Sequence, residues 1–497
     1  MSDFLFIPGA IVYLIVVGAL FVYGINFFYL TYLTLRKRNE HLTPPEMKEW
    51  PMVTVQLPIY NELYVAERLI MAVAALDYPP ALLEIQVLDD STDETVIIVR
   101  QAVKRVRARG INIVHIHRTD REGYKAGALA QGTSAANGVY FAIFDADFIP
   151  HPDFLMKTLP YFQDEQIGFI QTRWGHVNRD YSFLTTLQSL SVDAHFMVEQ
   201  FARSQAGYWF NFNGTAGIWR RKALEEAGGW TAETLTEDLD LSYRAFLCGW
   251  RAIYLRDVET RAELPVSFNA YRRQQHRWAR GSLECAYKFL PKIWSRHLAL
   301  RTKIEATFHL TGYAVHLLLC SLVILYPIVL FLSRQYSNLI SLFGIAFLFN
   351  ATAFAPTIFF IVAQQQLGNR WLHRIPAILF ISALGAGMML NTVRAAVNSL
   401  STSKGAFERT PKFGIINKGQ DWISQRYQLK LDPIVFFELL FAGLNAYTFT
   451  LAIQMQNWFI AFYSALFFSG LVFTSGLTIL QTIILSLRKS RLSLIKI

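Results

Sequence analysis

Tyr140-Phe141-Ala142-Ile143-Phe144-Asp145-Ala146-Asp147-Phe148-Ile149-Pro150 is an apolar run that stops at two carboxylates one residue apart. Aromatic and β-branched side chains favour a strand, and the acids and the proline end it, so a strand over residues 140–144 is expected. Outward from it, residues 53–57, 84–88 and 111–115 read as further short strands, and residues 62–76, 93–109 and 125–136 as helices. Strands that alternate with helices predict an α/β domain with a mostly parallel sheet. In such a sheet ligands bind at the carboxyl ends of the strands. There the sequence places Pro58-Ile59-Tyr60-Asn61-Glu62, then Asp89-Asp90-Ser91-Thr92, then Asp145-Ala146-Asp147.

The rest of the chain is oily. Of 497 residues, 53% are hydrophobic and only 17% charged, which predicts membrane spans rather than several soluble domains. Residues 4–35 carry no charge and precede Arg36-Lys37-Arg38; at about 1.5 Å per residue they exceed a hydrocarbon core of about 30 Å. Met1-Ser2-Asp3 lacks the basic start of a signal peptide and no small-residue cleavage site follows, so residues 1–38 are expected to be an uncleaved anchor. Residues 50–265 form the α/β domain. Residues 266–303 form a basic, aromatic segment with an interfacial amphipathic helix over 283–300. Residues 304–497 form a membrane domain with spans near 306–333, 339–363, 433–454 and 457–487.

Basic flanks set the orientation, because short cytoplasmic loops retain Lys and Arg. They place the α/β domain and the loop 401–432 in the cytosol. Segment 374–400 has Arg370 and Arg374 before it and Lys404, Arg409 and Lys412 after it, so it is expected to be re-entrant or interfacial rather than a span. The net charge of +10 does not form one basic stripe, which argues against nucleic acid and for membrane lipids and an anionic small substrate. Three scattered cysteines argue against a disulfide framework or a zinc site.

Several side chains suit particular chemistry. Asp145 and Asp147 at a strand end offer the oxygen donors that Mg²⁺ or Mn²⁺ prefers. Lys125, in Gly123-Tyr124-Lys125-Ala126-Gly127, opens a helix where backbone N–H groups and an ammonium can meet phosphate. Thr236-Glu237-Asp238 precedes a helix over 239–247, whose dipole should lower the pKa of Asp238 and keep it ionised as a base. Gln274-Gln275-His276-Arg277-Trp278 joins a guanidinium for phosphate to an indole for a sugar face. Singly, each also fits a turn, a helix cap or a membrane-surface stretch.

Taken together and in order, Asp89-Asp90, Asp145-Ala146-Asp147, Thr236-Glu237-Asp238 and Gln274 to Trp278 resemble the motifs of the processive family 2 glycosyltransferases, the group of cellulose, chitin and hyaluronan synthases. Phe212-Asn213-Gly214-Thr215-Ala216-Gly217 and Gln274-Gln275-His276-Arg277-Trp278 are most similar to the cellulose synthase-like A proteins, glucomannan 4-beta-mannosyltransferases, and next to the C group. The resemblance implies a GT-A-type cytosolic domain joined to a helical membrane bundle in a plasma, inner or Golgi-type membrane. It implies that Asp90 holds the nucleoside with Tyr60 and Glu62 beside the base, and that Lys125 meets the nucleotide phosphates. Asp145 and Asp147 would hold ribose or diphosphate and a divalent cation, Mg²⁺ or Mn²⁺. Asp238 would be the catalytic base, supported by Thr236 and Glu237. Gln274, Gln275, Arg277 and Trp278, with Asn213, Gly214 and Thr215, would hold diphosphate and acceptor.

The implied reaction is an inverting transfer from GDP-mannose or UDP-glucose that lengthens a β-1,4-linked mannan, glucomannan or glucan and passes it through the membrane helices. His276 resembles the mannan-synthase form of its motif. The rival is a non-processive enzyme that glucosylates a membrane lipid of the diacylglycerol or ceramide type. Phe407-Glu408-Arg409-Thr410-Pro411-Lys412 resembles the gating loop of cellulose synthases, with Arg409 where that loop has valine, and no cytosolic regulatory domain is expected after the last span.

Overall fold

A computed structural model describes residues 2–335, 350–401, 408–428 and 430–494. Seven strands form one sheet: β1 (Val53–Ile59), β2 (Leu83–Asp89), β3 (Ile113–His117), β4 (Tyr140–Ile143), β5 (Ile167–His176), β6 (Gly217–Arg220) and β7 (Arg251–Ala262). Their order is β3-β2-β1-β4-β6-β5-β7, and every neighbouring pair is parallel except the two that β6 makes. The sheet is thus mostly parallel, as the alternation of elements predicts.

β1 alternates apolar and polar residues, a pattern that ordinarily marks one wet face. Here both faces are buried. Thr54 donates to Glu84 (2.6 Å) and Gln56 to Gln86 (3.1 Å), so the polar face pairs across to β2 instead of reaching water. The first helix of the sheet domain is Ala66–Val73, shorter than the expected 62–76, because Asn61 takes a left-handed φ of 54° and the chain turns before winding. β3 ends two residues later than expected, which brings His117 and Arg118 to the ligand edge.

Among the described residues, four helices are long and apolar enough to cross a membrane: Pro8–Lys37, Ala314–Arg334, Ile434–Gln454 and Trp458–Arg488. A fifth would be the pair Trp371–Gly387 and Met389–Ser399, bent by 42° at its break, a geometry shared by broken spans and re-entrant loops. Two expectations change. The stretch 306–333 divides into a short helix, Leu300–Leu310, holding the buried Glu305, and the apolar Ala314–Gln335. The interfacial helix is the end of one 28-residue helix, Phe268–Ser295, whose first turns are buried between the sheet domain and the bundle. Of the stretch 339–363, residues 339–349 lie outside the described residues, and the remainder is a 3-10 turn (Asn350–Phe354) leading into the helix Ala355–Gln366.

Polar side chains fasten the two halves. Arg272, on the Phe268–Ser295 helix, forms a two-pronged ion pair with Glu438 of the Ile434–Gln454 helix, and neither side chain is exposed. Arg203 donates to Glu305 (3.1 Å), which also accepts from Asn26 of the first helix (2.7 Å). Removing one partner of such a buried pair costs about 3–5 kcal/mol, because the other charge is left uncompensated. The described part of the loop 401–432 returns over the sheet domain, where Phe413, Ile415 and Trp422 pack with Val266.

Candidate functional site

The carboxyl ends of β1, β2 and β4 converge, as they must in a parallel sheet, and their side chains face one cavity of about 1400 Å³. Tyr60 and Glu62 line it from the end of β1, Asp90 from the end of β2, and Asp145 and Asp147 from the end of β4. Thr236, Glu237 and Asp238 line it from the start of the Glu237–Leu247 helix. Gln274, Gln275, Arg277 and Trp278 line it from the Phe268–Ser295 helix. Beyond them the same cavity continues between the membrane helices, past Tyr313, Tyr326, Phe459 and Tyr463.

Asp90, Asp145 and Asp147 each carry a cation of their own. Arg118 grips Asp90 with Nε (2.7 Å) and Nη2 (2.5 Å), the fork geometry that makes Arg–carboxylate pairs strong. Lys125 Nζ donates to Asp145 (2.5 Å) and to the Gly214 carbonyl (2.8 Å). Lys412 Nζ donates to Asp147 (2.7 Å) and to the Glu263 carbonyl (2.6 Å). From the same loop Arg409 pairs with Glu62 at 3.0 Å. Burial nevertheless pushes the Glu62 carboxyl up to about 8, with Asp147 adding to the rise against Arg409 and Lys412. Phe407 of the loop motif lies outside the described residues.

Asp238 differs. Its helix begins at Glu237, two residues before the expected start, so both acids sit in the first turn. The dipole argument predicts a lowered pKa, yet Asp238 is pushed up to about 7. Burial is the largest cause and the adjacent Glu237 the second. Lys125 pulls the other way and does not prevail. A base titrating near neutrality is well matched to taking a hydroxyl proton. The wall beside it is Gly214, at φ +78°, where an added Cβ would stand 3.0 Å from Asp238 Oδ2.

The remaining motif residues divide. Thr215 is fully buried and does not reach the cavity; its hydroxyl instead accepts the Asp145 N–H (2.8 Å), so it fixes the acid from behind. Asn213 and Gly214 face the cavity. Arg277 donates to the Glu408 carbonyl (3.3 Å) and lies in the field of Glu237, Asp145 and Asp238. His276, whose identity hinted at the sugar, turns to Asn398 of the Met389–Ser399 helix (3.1 Å) and is not among the cavity's walls.

Asp145 and Asp147 fit a divalent cation. Both are hard oxygen donors on one cavity wall, and Asp145 Oδ2 and Asp147 Oδ1 have no hydrogen bond among the described residues. Sequence reasoning passed over Arg118, and Arg121, whose guanidinium covers the Tyr60 ring at 3.3 Å. The strand-end rule that singles out Asp90 would have found Arg118 had β3 been ended at His117.

Comparison with known proteins agrees with this geometry. Residues 51–281 match the family described as "Glycosyltransferase like family 2". "Probable glucomannan 4-beta-mannosyltransferase 4" of Oryza sativa subsp. japonica is 46% identical over 253 residues, 50% of this chain and 46% of the rice protein, so the match spans about half of each. Among solved structures, "Mannosyltransferase PcManGT from Pyrobaculum calidifontis in complex with GDP-Man and Mn2+" superposes with a TM-score of 0.53 and 22% identity, covering 79% of this chain and 99% of that one. Residues 51–281 thus match the family 2 glycosyltransferase model, and the fold is GT-A-like.

Proposed function

We propose that the chain is an inverting membrane hexosyltransferase that extends a β-linked polysaccharide from a nucleoside diphosphate sugar, with GDP-mannose preferred to UDP-glucose. The observation that carries this reading is the single cavity that joins Asp238 to the membrane helices. A soluble donor and a product bound for the membrane need such a connection. The rice relative's name, a glucomannan 4-beta-mannosyltransferase, supports mannose and a β-1,4 linkage.

In this mechanism Asp90 and Tyr60 hold the nucleoside, and Lys125 and Arg277 face the diphosphate. Asp145 and Asp147 would hold Mg²⁺ or Mn²⁺, whose chemistry is to neutralise charge on the departing diphosphate. Asp238 accepts the proton of an acceptor hydroxyl. The oxygen attacks the anomeric carbon of the α-linked donor as the bond to phosphate breaks, and the new linkage is β. Trp278 offers a flat face to the acceptor sugar. For nucleotide to enter as drawn, Arg409 and Lys412 give up Glu62 and Asp147, so the loop of residues 408–428 serves as a cover that opens and closes.

A second reading is favoured by the cavity's membrane half, where Leu319, Leu322, Phe359, Phe360, Leu379 and Leu466 are as suited to a lipid tail as to sugar. Product partition separates the two. Membranes given labelled GDP-mannose or UDP-glucose should yield ethanol-insoluble label that a β-mannanase or β-glucanase releases. Label confined to the chloroform phase would replace the polymer with a glycolipid, and no transfer from either donor would end the proposal.

A further inference from the structure

The helix that begins at Phe183 changes its winding at His195. Residues His195–Gln200 are π-helical, and α-helical winding resumes at Phe201–Gln205. A π-turn sacrifices regular hydrogen bonds, and such turns often mark functional sites. This one turns His195 and Glu199 toward the cavity, each with more than a quarter of its side chain exposed there.

The hydrogen bonds of the turn form a directed chain. His195 Nδ1–H donates to Glu199 (2.9 Å), which leaves Nε2 to accept from the Asn213 amide (3.2 Å); the tautomer follows from these two partners. Gln200 donates to the Asn213 side-chain oxygen (3.1 Å) and to the Asn211 carbonyl (2.8 Å). Arg203 reaches the other Glu199 oxygen at 3.3 Å. Burial alone would raise the Glu199 carboxyl, but the hydrogen bond from His195 and the charge of Arg203 hold it well below the usual carboxylate range. Asn213 leads directly into Gly214, whose carbonyl holds Lys125 and where an added Cβ would meet Asp238.

None of these groups takes part in the proton or phosphate chemistry of the proposed mechanism. Their chemistry is nevertheless specific: an ionised carboxylate with lone pairs to spare, an imidazole fixed beside it, and an indole, Trp278, on the wall of the same cavity. A carboxylate accepts up to about four hydrogen bonds, which suits the vicinal hydroxyls of a pyranose. We propose that the π-turn is an acceptor-sugar subsite, in which Glu199, held in place by His195, receives hydroxyls of the saccharide unit behind the one being extended. Asn213 couples its occupancy to the loop beside Asp238.

The inference rests on the glycosyl-transfer reading, and one experiment separates the two. The full-length enzyme in detergent, with Mn²⁺ and labelled GDP-mannose, is assayed with mannose and with β-1,4-mannotriose as acceptors. Glu199→Gln and His195→Gln should each raise the KM for mannotriose about tenfold, as loss of a charge-assisted hydrogen bond would, and should erase its advantage over mannose while the donor KM stays within about twofold. A mannotriose KM equal to wild type in both variants overturns the subsite, as does a parallel rise in the donor KM. A variant that fails to elute as a folded monodisperse species also counts against it, because a subsite open to a cavity should tolerate an isosteric change. Wild-type enzyme that transfers to neither acceptor defeats the glycosyl-transfer reading itself.

Discussion

The proposed nucleotide edge of the cavity and the proposed acceptor edge use the same side chain in opposite ways. On the nucleotide edge each carboxylate is paired: Asp90 with Arg118, Asp145 with Lys125, Asp147 with Lys412. On the acceptor edge Glu237 and Asp238 are neighbours in one helical turn. Their nearest described cation is Lys125, at 3.8 Å from Glu237 and already engaged by Asp145. A carboxylate gripped by a cation is oriented, and its remaining lone pairs can meet a metal ion or a sugar hydroxyl. A buried carboxylate beside another acid gives up its charge near neutrality, which is what a base must be able to do. The difference between the two edges therefore separates binding from proton transfer.

The largest effect that could break this division is at the base. Asp238→Asn should lower kcat by about 10²–10⁴-fold with little change in donor binding, measured by turnover and by nucleotide titration. An equal loss in an Asp90 variant, with nucleotide still bound, would erase the distinction. Next in size, Asp145→Asn and Asp147→Asn should each lower activity about a hundredfold and weaken Mn²⁺ dependence, read from activity against free metal. The smallest effect is of opposite sign. Lys412→Met removes the cation that stands against Asp147, so half-saturation by Mn²⁺ should fall by about fivefold, because the carboxylate then lacks its competing partner. An unchanged metal profile would mean that Lys412 does not compete with the metal for Asp147.

Much of this arrangement was legible in the sequence, for reasons that can be stated. Period and composition reveal strands such as β1 and β4, and strand ends point to Asp90, Asp145 and Asp147 because a parallel sheet gathers its ligands there. What was not legible depends on distant parts of the chain meeting. The raised pKa of Asp238 comes from burial that the helix dipole cannot offset, and no local pattern reports burial. The partners Lys412 and Arg409 lie 265 and 347 residues from Asp147 and Glu62. The π-turn at His195 leaves no mark on the apolar spacing of its helix. His276 shows the opposite failure: a motif residue suggestive by resemblance faces Asn398 and not the cavity.

The pH dependence of kcat/KM for the acceptor at saturating Mn²⁺ tests the role of Asp238 most directly. The Asp238 carboxyl is raised to about 7 and acts as a base only when ionised, so activity should fall about tenfold for each pH unit below 7 and level off above it. Because Glu237 contributes to the rise, Glu237→Gln should move this acid limb to lower pH. A profile that is flat from about pH 5.5 to 8, or a limb that Glu237→Gln leaves in place, would contradict the assignment of Asp238 as the base.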